Sequence, residues 1–339
     1  MTDPAGFVVI GRNEGERLRR CLQGLIAPGR IVVYVDSGSS DGSPALARSL
    51  GAEVHELSAD RPFSAARARN EGFEQLTARA PGLRYLQFVD GDSELDPGWE
   101  ALALKALEAR PDACAAIGRL REKAPGDSLY NRLCDLEWNL PLGEVHCFGG
   151  LCMMRVEAFR KVKGFDLALP AGEEPELSQR LRRDGWKILS MDAEMARHDA
   201  ALRSFGQWWR RSLRSGQAYA QVCSLGSGIR GRFGLRQVAR TWFWVVLFPA
   251  LAAASVLVHR VAGPATAAGL FALQLLRIAA GTRRKGASWG TALGYALLWW
   301  PGQLAQWLGH GRFLLSRLRR RPPTLLEVKP VPPPGGGDA

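Results

Sequence analysis

In Tyr85-Leu86-Gln87-Phe88-Val89-Asp90-Gly91-Asp92, five residues of buried-strand character run into two carboxylates separated by a single glycine. A strand apolar on both faces belongs to a sheet covered on both sides. Working outward, Phe7-Val8-Val9-Ile10 predicts another such strand, and residues 14–25 have helical spacing. Ile31-Val32-Val33-Tyr34-Val35 predicts a strand ending at Asp36, followed by a helix over 44–50, a short strand over 52–55 and a helix over 65–78. Strands alternating with helices predict an α/β fold with a mostly parallel, Rossmann-like sheet. Ligands of such sheets gather at the carboxyl ends of the strands, where Arg12-Asn13, Asp36 and Asp90 all fall.

Three stretches carry candidate chemistry. Asp90-Gly91-Asp92 suits a hard divalent cation that also bridges phosphate oxygens, although Asp and Gly equally make ordinary turns. The loop Asp36-Ser37-Gly38-Ser39-Ser40-Asp41-Gly42-Ser43 is built of small residues that let a ligand approach the backbone. Ser43 is placed to cap a helix whose first residue is Pro44, so a plain strand-to-helix turn also explains the loop. Gly172-Glu173-Glu174-Pro175-Glu176-Leu177 opens a helix. Its acids are either partners of the helix dipole or, in the case of Glu174, a general base facing a cleft.

Charge divides the chain. Residues 1–200 hold 26 Lys+Arg against 31 Asp+Glu, whereas residues 201–339 hold 19 against 2, within a total of +12. No acidic residue lies between Asp199 and Glu327. Such a basic half meets either nucleic acid or an anionic membrane leaflet. The same half contains apolar runs at 241–258 and 261–280, so the expected partner is anionic membrane lipid and not nucleic acid. Arg230, Arg232, Arg236 and Arg240 precede the first run, Arg283, Arg284 and Lys285 follow the second, and only Arg260 lies between. The positive-inside rule then places both clusters in the cytoplasm. A third full crossing over 289–308 would carry Arg312, Arg317, Arg319, Arg320 and Arg321 outside, and Pro301, Gln303 and Gln306 weaken that segment, which is therefore expected to be re-entrant or interfacial. The expected layout is a catalytic domain over 1–204, a basic amphipathic segment and linker over 205–240, a membrane region over 241–321 and a disordered Pro/Gly-rich tail over 322–339. No stretch at the N-terminus has signal-peptide character, and the six cysteines show no metal-ligand spacing, so reduced thiols are expected.

Taken in order, these elements resemble glycosyltransferase family 2 over residues 7–198. The resemblance rests on Ile10-Gly11-Arg12-Asn13-Glu14, the Asp36 loop, Ala68-Arg69-Asn70-Glu71-Gly72 and Asp90-Gly91-Asp92. Gly149-Gly150, Gly164-Phe165-Asp166, Glu173-Glu174 and His198 complete it. It implies a GT-A catalytic domain that takes sugar from a nucleotide-diphosphate sugar with Mn2+ or Mg2+ and inverts configuration. It further implies that Asp36 holds the base and ribose with Asn13, Glu14 and Arg69, that Asp92 ligates the metal, that Asp90 lies near the ribose or the metal's water shell, and that His198 lies near the diphosphate and metal. Glu174 matches the family's catalytic base, with Glu where many relatives have Asp. Gln207-Trp208-Trp209-Arg210-Arg211 resembles the family's Gln-x-x-Arg-Trp acceptor element, with Arg211 in place of Trp; an interfacial helix explains the same residues. The C-terminal layout resembles bacterial exopolysaccharide-type members, which implies a lipid-linked or polysaccharide acceptor at the inner membrane. Polyprenyl phosphate as acceptor, a sugar nucleotidyltransferase and a non-catalytic scaffold remain alternatives; the loop after the first strand lacks the glycine density of a nucleotidyltransferase.

Overall fold

The computed structural model of the chain describes residues 5–138, 140–169, 171–224 and 229–319. The expected disordered tail, together with Arg320 and Arg321, lies outside the described residues. Two compact units emerge: one takes residues up to 123 and 138–200, the other 124–137 and the described residues from 201 onward.

The first unit is built on one sheet. Its strands are β1 (Ala5–Gly11), β2 (Val32–Asp36), β3 (Glu53–Glu56), β4 (Tyr85–Asp90), β5 (Ser93–Leu95), β6 (Ala113–Glu122), β7 (Gly143–Val145), β8 (Cys152–Arg155) and β9 (Lys187–His198). The order is β3-β2-β1-β4-β8-β6-β9-β5, with β7 on β9. The β3-β2-β1-β4 half is parallel; β8 then runs antiparallel to both β4 and β6, so the far half is mixed. The helices are α1 (Glu16–Leu25), α2 (Ser43–Leu50), α3 (Ala65–Arg79), α4 (Trp99–Ala109), α6 (Val156–Lys161) and α7 (Glu173–Arg183), with α5 (Leu129–Glu137) belonging to the other unit.

Period-two alternation explains why β1 is apolar throughout. Phe7 and Val9 enter one buried cluster with Leu18, Leu22 and Ala47, whereas Val8 and Ile10 enter another with Phe73, Leu76 and Phe88. Gly72 lets α3 lie close on the sheet, because a Cβ there would come within 2.4 Å of Val8 and 2.8 Å of Val35. Gln87 sits inside this core, accepting at 2.9 Å from the indole Nε1 of fully buried Trp99. Register then sets the site: Gly11 pairs with Asp36 and Ile10 with Asp90, so both acids leave the sheet at one level on either side of β1.

The second unit is helical: α5, α8 (Phe205–Ser224), α9 (Ile229–Trp242), α10 (Phe248–Val258), α11 (Ala262–Arg284) and α12 (Trp289–Leu318). Five residues, Phe243–Leu247, form wider π turns that join α9 to α10. Pro249 lacks an N–H and crowds the carbonyl four residues back, which falls within those turns. The expected amphipathic segment and linker over 205–240 is helical over Phe205–Ser224 and again from Ile229, and the first apolar helix starts earlier than the run at 241–258 suggests. Gly234–Val258 and Ala262–Arg284 are long and apolar enough to cross a membrane. The segment around Pro301 is part of one continuous helix, and its polar side chains are used internally: Thr241 donates to Gln303 at 3.1 Å and to Gln306 at 3.3 Å. All six cysteines are free.

Candidate active site

Two loops at the ends of β1 and β2 are stitched together. Asn13, held at φ 55°, receives the backbone N–H of Ser40 on its Oδ1 at 2.8 Å and donates its own N–H to Ser39 Oγ at 2.9 Å. The Gly15 N–H reaches Asp41 Oδ2 at 3.0 Å. Asp36 is only 2% exposed, and each of its oxygens accepts twice: Oδ1 from Tyr34 Oη and Ser39 Oγ, Oδ2 from the N–H groups of Gly38 and Ser39. Burial and the adjacent Asp36 push the Tyr34 hydroxyl up, so it stays a donor. Asp36 thus organises its own loop. Ser43 does not cap α2; Gly42 occupies that position, and Ser43 donates through both its N–H and its hydroxyl to Asp41 Oδ1. Phe63 packs over Gly38, where a Cβ would come within 2.9 Å of the ring, and Arg12 lies 5.7 Å from the ring centre. Glu14 pairs with Arg17 at 2.9 Å.

The second constellation gathers residues distant in sequence. Asp90, Asp92 and His198 present ligand atoms all within 4.8 Å of one another. His198 lies opposite Ser93 in the β5–β9 pairing, which brings its Nε2 to 3.3 Å from Asp92 Oδ1. Trp138 packs edge-on against the imidazole at 4.9 Å, and its Nδ1 is buried without a hydrogen-bond partner. Burial pushes the ring's pKa down, against the pull of Asp90 and Glu122, which keeps the neutral, metal-binding form. Two carboxylates and a neutral imidazole are a donor set that could hold a divalent cation.

Arg69, 3% exposed on α3, joins this group to α7. Its Nη2 donates to Asp90 Oδ1 at 2.9 Å, while Nη1 donates to Glu173 Oε1 at 3.2 Å and Glu174 Oε1 at 3.3 Å. Burial opposes its charge, but Asp90, Glu174 and Glu173 outweigh that and hold the guanidinium above its ordinary pKa. One guanidinium thus meets three carboxylates, from Asp90, Glu173 and Glu174. Gly150 leaves these side chains room: a Cβ would come within 2.6 Å of Asp90 Oδ2 and 2.7 Å of Arg69 Nη2, so one of them would have to shift. Next to Arg69, Asn70 exchanges two hydrogen bonds with the backbone of Phe165, and Gly164, at φ 65°, leaves room for its Oδ1. The separate stretches around Asn70 and Gly164 are thereby one structure.

The structure therefore brings Asp90, Asp92, His198, Arg69 and Glu174 together, and sets Asn13, Glu14 and Asp36 in the loops at the ends of β1 and β2. Glu173 was expected only as a helix-dipole partner and as part of the Glu173-Glu174 motif, yet it is buried against Arg69; its neighbour Glu174 was the more obvious acid. Glu176, the third acid of that turn, is fully buried against Arg180 at 2.7 Å and has a structural role. Gln207, Trp208, Arg210 and Arg211 lie in the helical unit. Gln207 Oε1 accepts from the N–H groups of Arg203 and Ser204, Trp208 is buried beside Tyr130, Arg211 pairs with Glu137 at 2.9 Å, and Arg210 is exposed.

The fold is the GT-A type: the chain superimposes with a TM-score of 0.62 on a mannosyltransferase from Pyrobaculum calidifontis, solved in complex with GDP-Man and Mn2+, at 17% identity over 94% of this chain and 90% of that one. Residues 7–163 match the Glycosyl transferase family 2 profile. It is 30% identical over 192 residues to the succinoglycan biosynthesis protein ExoA of Rhizobium meliloti, covering 52% of this chain and 55% of that protein. It is 32% identical over 134 residues to a TPR repeat-containing protein of Synechococcus elongatus, covering 39% of this chain and 31% of that protein. The chain thus spans about a third to a half of the curated relatives it matches.

Proposed function

We propose that this protein is an inverting, metal-dependent glycosyltransferase that moves a sugar from a nucleotide-diphosphate sugar to a lipid-linked or polysaccharide acceptor at the cytoplasmic face of the inner membrane. The observation that carries this reading is the cluster of Asp90, Asp92 and His198, tied through Arg69 to Glu174. Asp92 and His198, with Asp90 beside them, would hold Mn2+ or Mg2+, which when bound neutralises charge on the departing diphosphate. Asn13, Glu14 and Asp36 frame the nucleotide side, while Arg69, assigned to it by the family resemblance, is buried against Asp90, Glu173 and Glu174. Glu174 is the reachable member of its pair, its side chain 19% exposed against 5% for Glu173. Its carboxylate takes the proton from an acceptor hydroxyl. The hydroxyl oxygen attacks the anomeric carbon opposite the leaving group, and the electron pair of the breaking carbon–oxygen bond goes to the nucleoside diphosphate.

Gly234–Val258 and Ala262–Arg284 form a membrane hairpin in this reading, with Arg236, Arg240, Arg283, Arg284 and Lys285 on the cytoplasmic side. The likeness to a succinoglycan biosynthesis protein supports an exopolysaccharide-type acceptor. The test is a thermal-shift and turnover screen of the full chain in detergent against GDP-Man, UDP-GlcNAc and UDP-glucose, with and without Mn2+. Stabilisation and nucleoside diphosphate release by at least one donor, only with metal, is the expected result. Neither response with any common nucleotide sugar contradicts the reading.

A further inference from the structure

Arg69, like Asp36, is almost wholly buried. It is 3% exposed, its ring-facing side rests on Phe165 with the guanidinium carbon 5.6 Å from the ring centre, and its two terminal nitrogens are spent on carboxylates from residues 90, 173 and 174. We propose that Arg69 is a positioning residue, anchored by buried Glu173, that fixes the carboxylate of Glu174 relative to Asp90. This rests on the assignment of Glu174 as the base.

The chemistry of the side chains fits the task. A guanidinium is a planar fork whose two terminal nitrogens have fixed separation, so binding Asp90 with one sets where the other meets α7. A lysine at the same place is a point charge on a flexible stem and can span only one of the two groups. Glu173 precedes Glu174 in the first turn of α7, and both meet the same Nη1. A charge on Glu173, with its side chain 5% exposed, is stabilised by that cation, and the pair ties the first turn of α7 to α3. Gly150 keeps the opposite flank clear, since any side chain there would push on both Asp90 and Arg69.

The test compares Glu173→Gln, Arg69→Lys and Gly150→Ala with Glu174→Gln and with the Glu173→Gln/Glu174→Gln double variant. Two readouts are used on the full chain in detergent: transfer or nucleoside diphosphate release from the active donor among GDP-Man, UDP-GlcNAc and UDP-glucose, and calorimetric Kd for UDP and GDP with Mn2+. Each of the three positioning variants is expected to lower kcat by about ten- to a hundredfold while leaving Kd within about threefold. The double variant is expected to be no slower than Glu174→Gln alone, because Glu173 acts only through Glu174. Gly150→Ala removes no charge, so it reports on position even if Arg69→Lys does not fold. Independent, multiplying losses in the double variant, or a loss of nucleotide affinity with kcat retained, overturn the proposal. Full turnover by Glu174→Gln overturns instead the assignment of the base, so the two failures are distinguishable.

Discussion

The two units treat charge in opposite ways. In the sheet unit, cations are buried and matched: Arg69 meets three carboxylates, Arg67 donates to Glu71 at 2.7 Å, and Arg180 makes a bidentate contact with Glu176. In the helical unit the carboxylate partners of Arg211 and Arg203, Glu137 and Asp127, come from the short segment 124–137, and beyond Asp199 the sequence supplies none until Glu327. Its interior contacts are neutral, such as Thr241 with Gln303, or are close approaches at glycine, such as Gly216 against the backbone of Gln306. A buried ion pair is weak evidence of stability but strong evidence of a fixed geometry. The difference teaches that the first unit spends charge on holding groups in place, whereas most cations of the second have no acidic residue nearby in sequence.

Substitutions sharpen this contrast. The largest effect is expected for Glu174→Gln, which should slow transfer to an acceptor hydroxyl by about a hundred- to ten-thousandfold, with an unchanged melting profile, as measured by nucleoside diphosphate release. Gly72→Val should destabilise the sheet unit by about 1–3 kcal/mol through overpacking against Val8 and Val35, read from denaturant midpoints. Thr241→Val should cost only about 0.6–1 kcal/mol in the helical unit, because a neutral hydrogen bond there has modest net worth. Smallest of all, Glu137→Gln should change stability by less than about 1 kcal/mol, since that ion pair is a third exposed. A large loss from the last two with none from Gly72→Val would reverse the comparison.

Much of the sheet was legible because β1, β2 and β4 are uniformly apolar runs ending in Asn or Asp loops, and each lies within a residue or two of its expected place. The far half was not. β6 begins Ala113-Cys114-Ala115-Ala116 and β8 reads Cys152-Met153-Met154-Arg155, residues with little strand preference that pair only because the sheet is already there. At the site, Asp90, Asp92, Glu174 and His198 were readable as residue types in order. Their assembly was not, since it depends on Arg69 reaching across 104 residues of sequence to Glu173 and on the missing side chain at Gly150. For Asp36 the sequence suggested a ligand contact, and the fold adds that its oxygens accept from Tyr34 on β2 and from Gly38 and Ser39 of the following loop.

The central claim is that the carboxylates at the end of β4 act on a nucleotide sugar together with a divalent cation. Its most direct test is Asp92→Asn, assayed for Mn2+-dependent nucleoside diphosphate release alongside calorimetric binding of Mn2+ with UDP or GDP. The account predicts that turnover falls by about a hundred- to a thousandfold and that metal no longer strengthens nucleotide binding. A folded Asp92→Asn protein with unchanged turnover and unchanged metal-linked binding would contradict it.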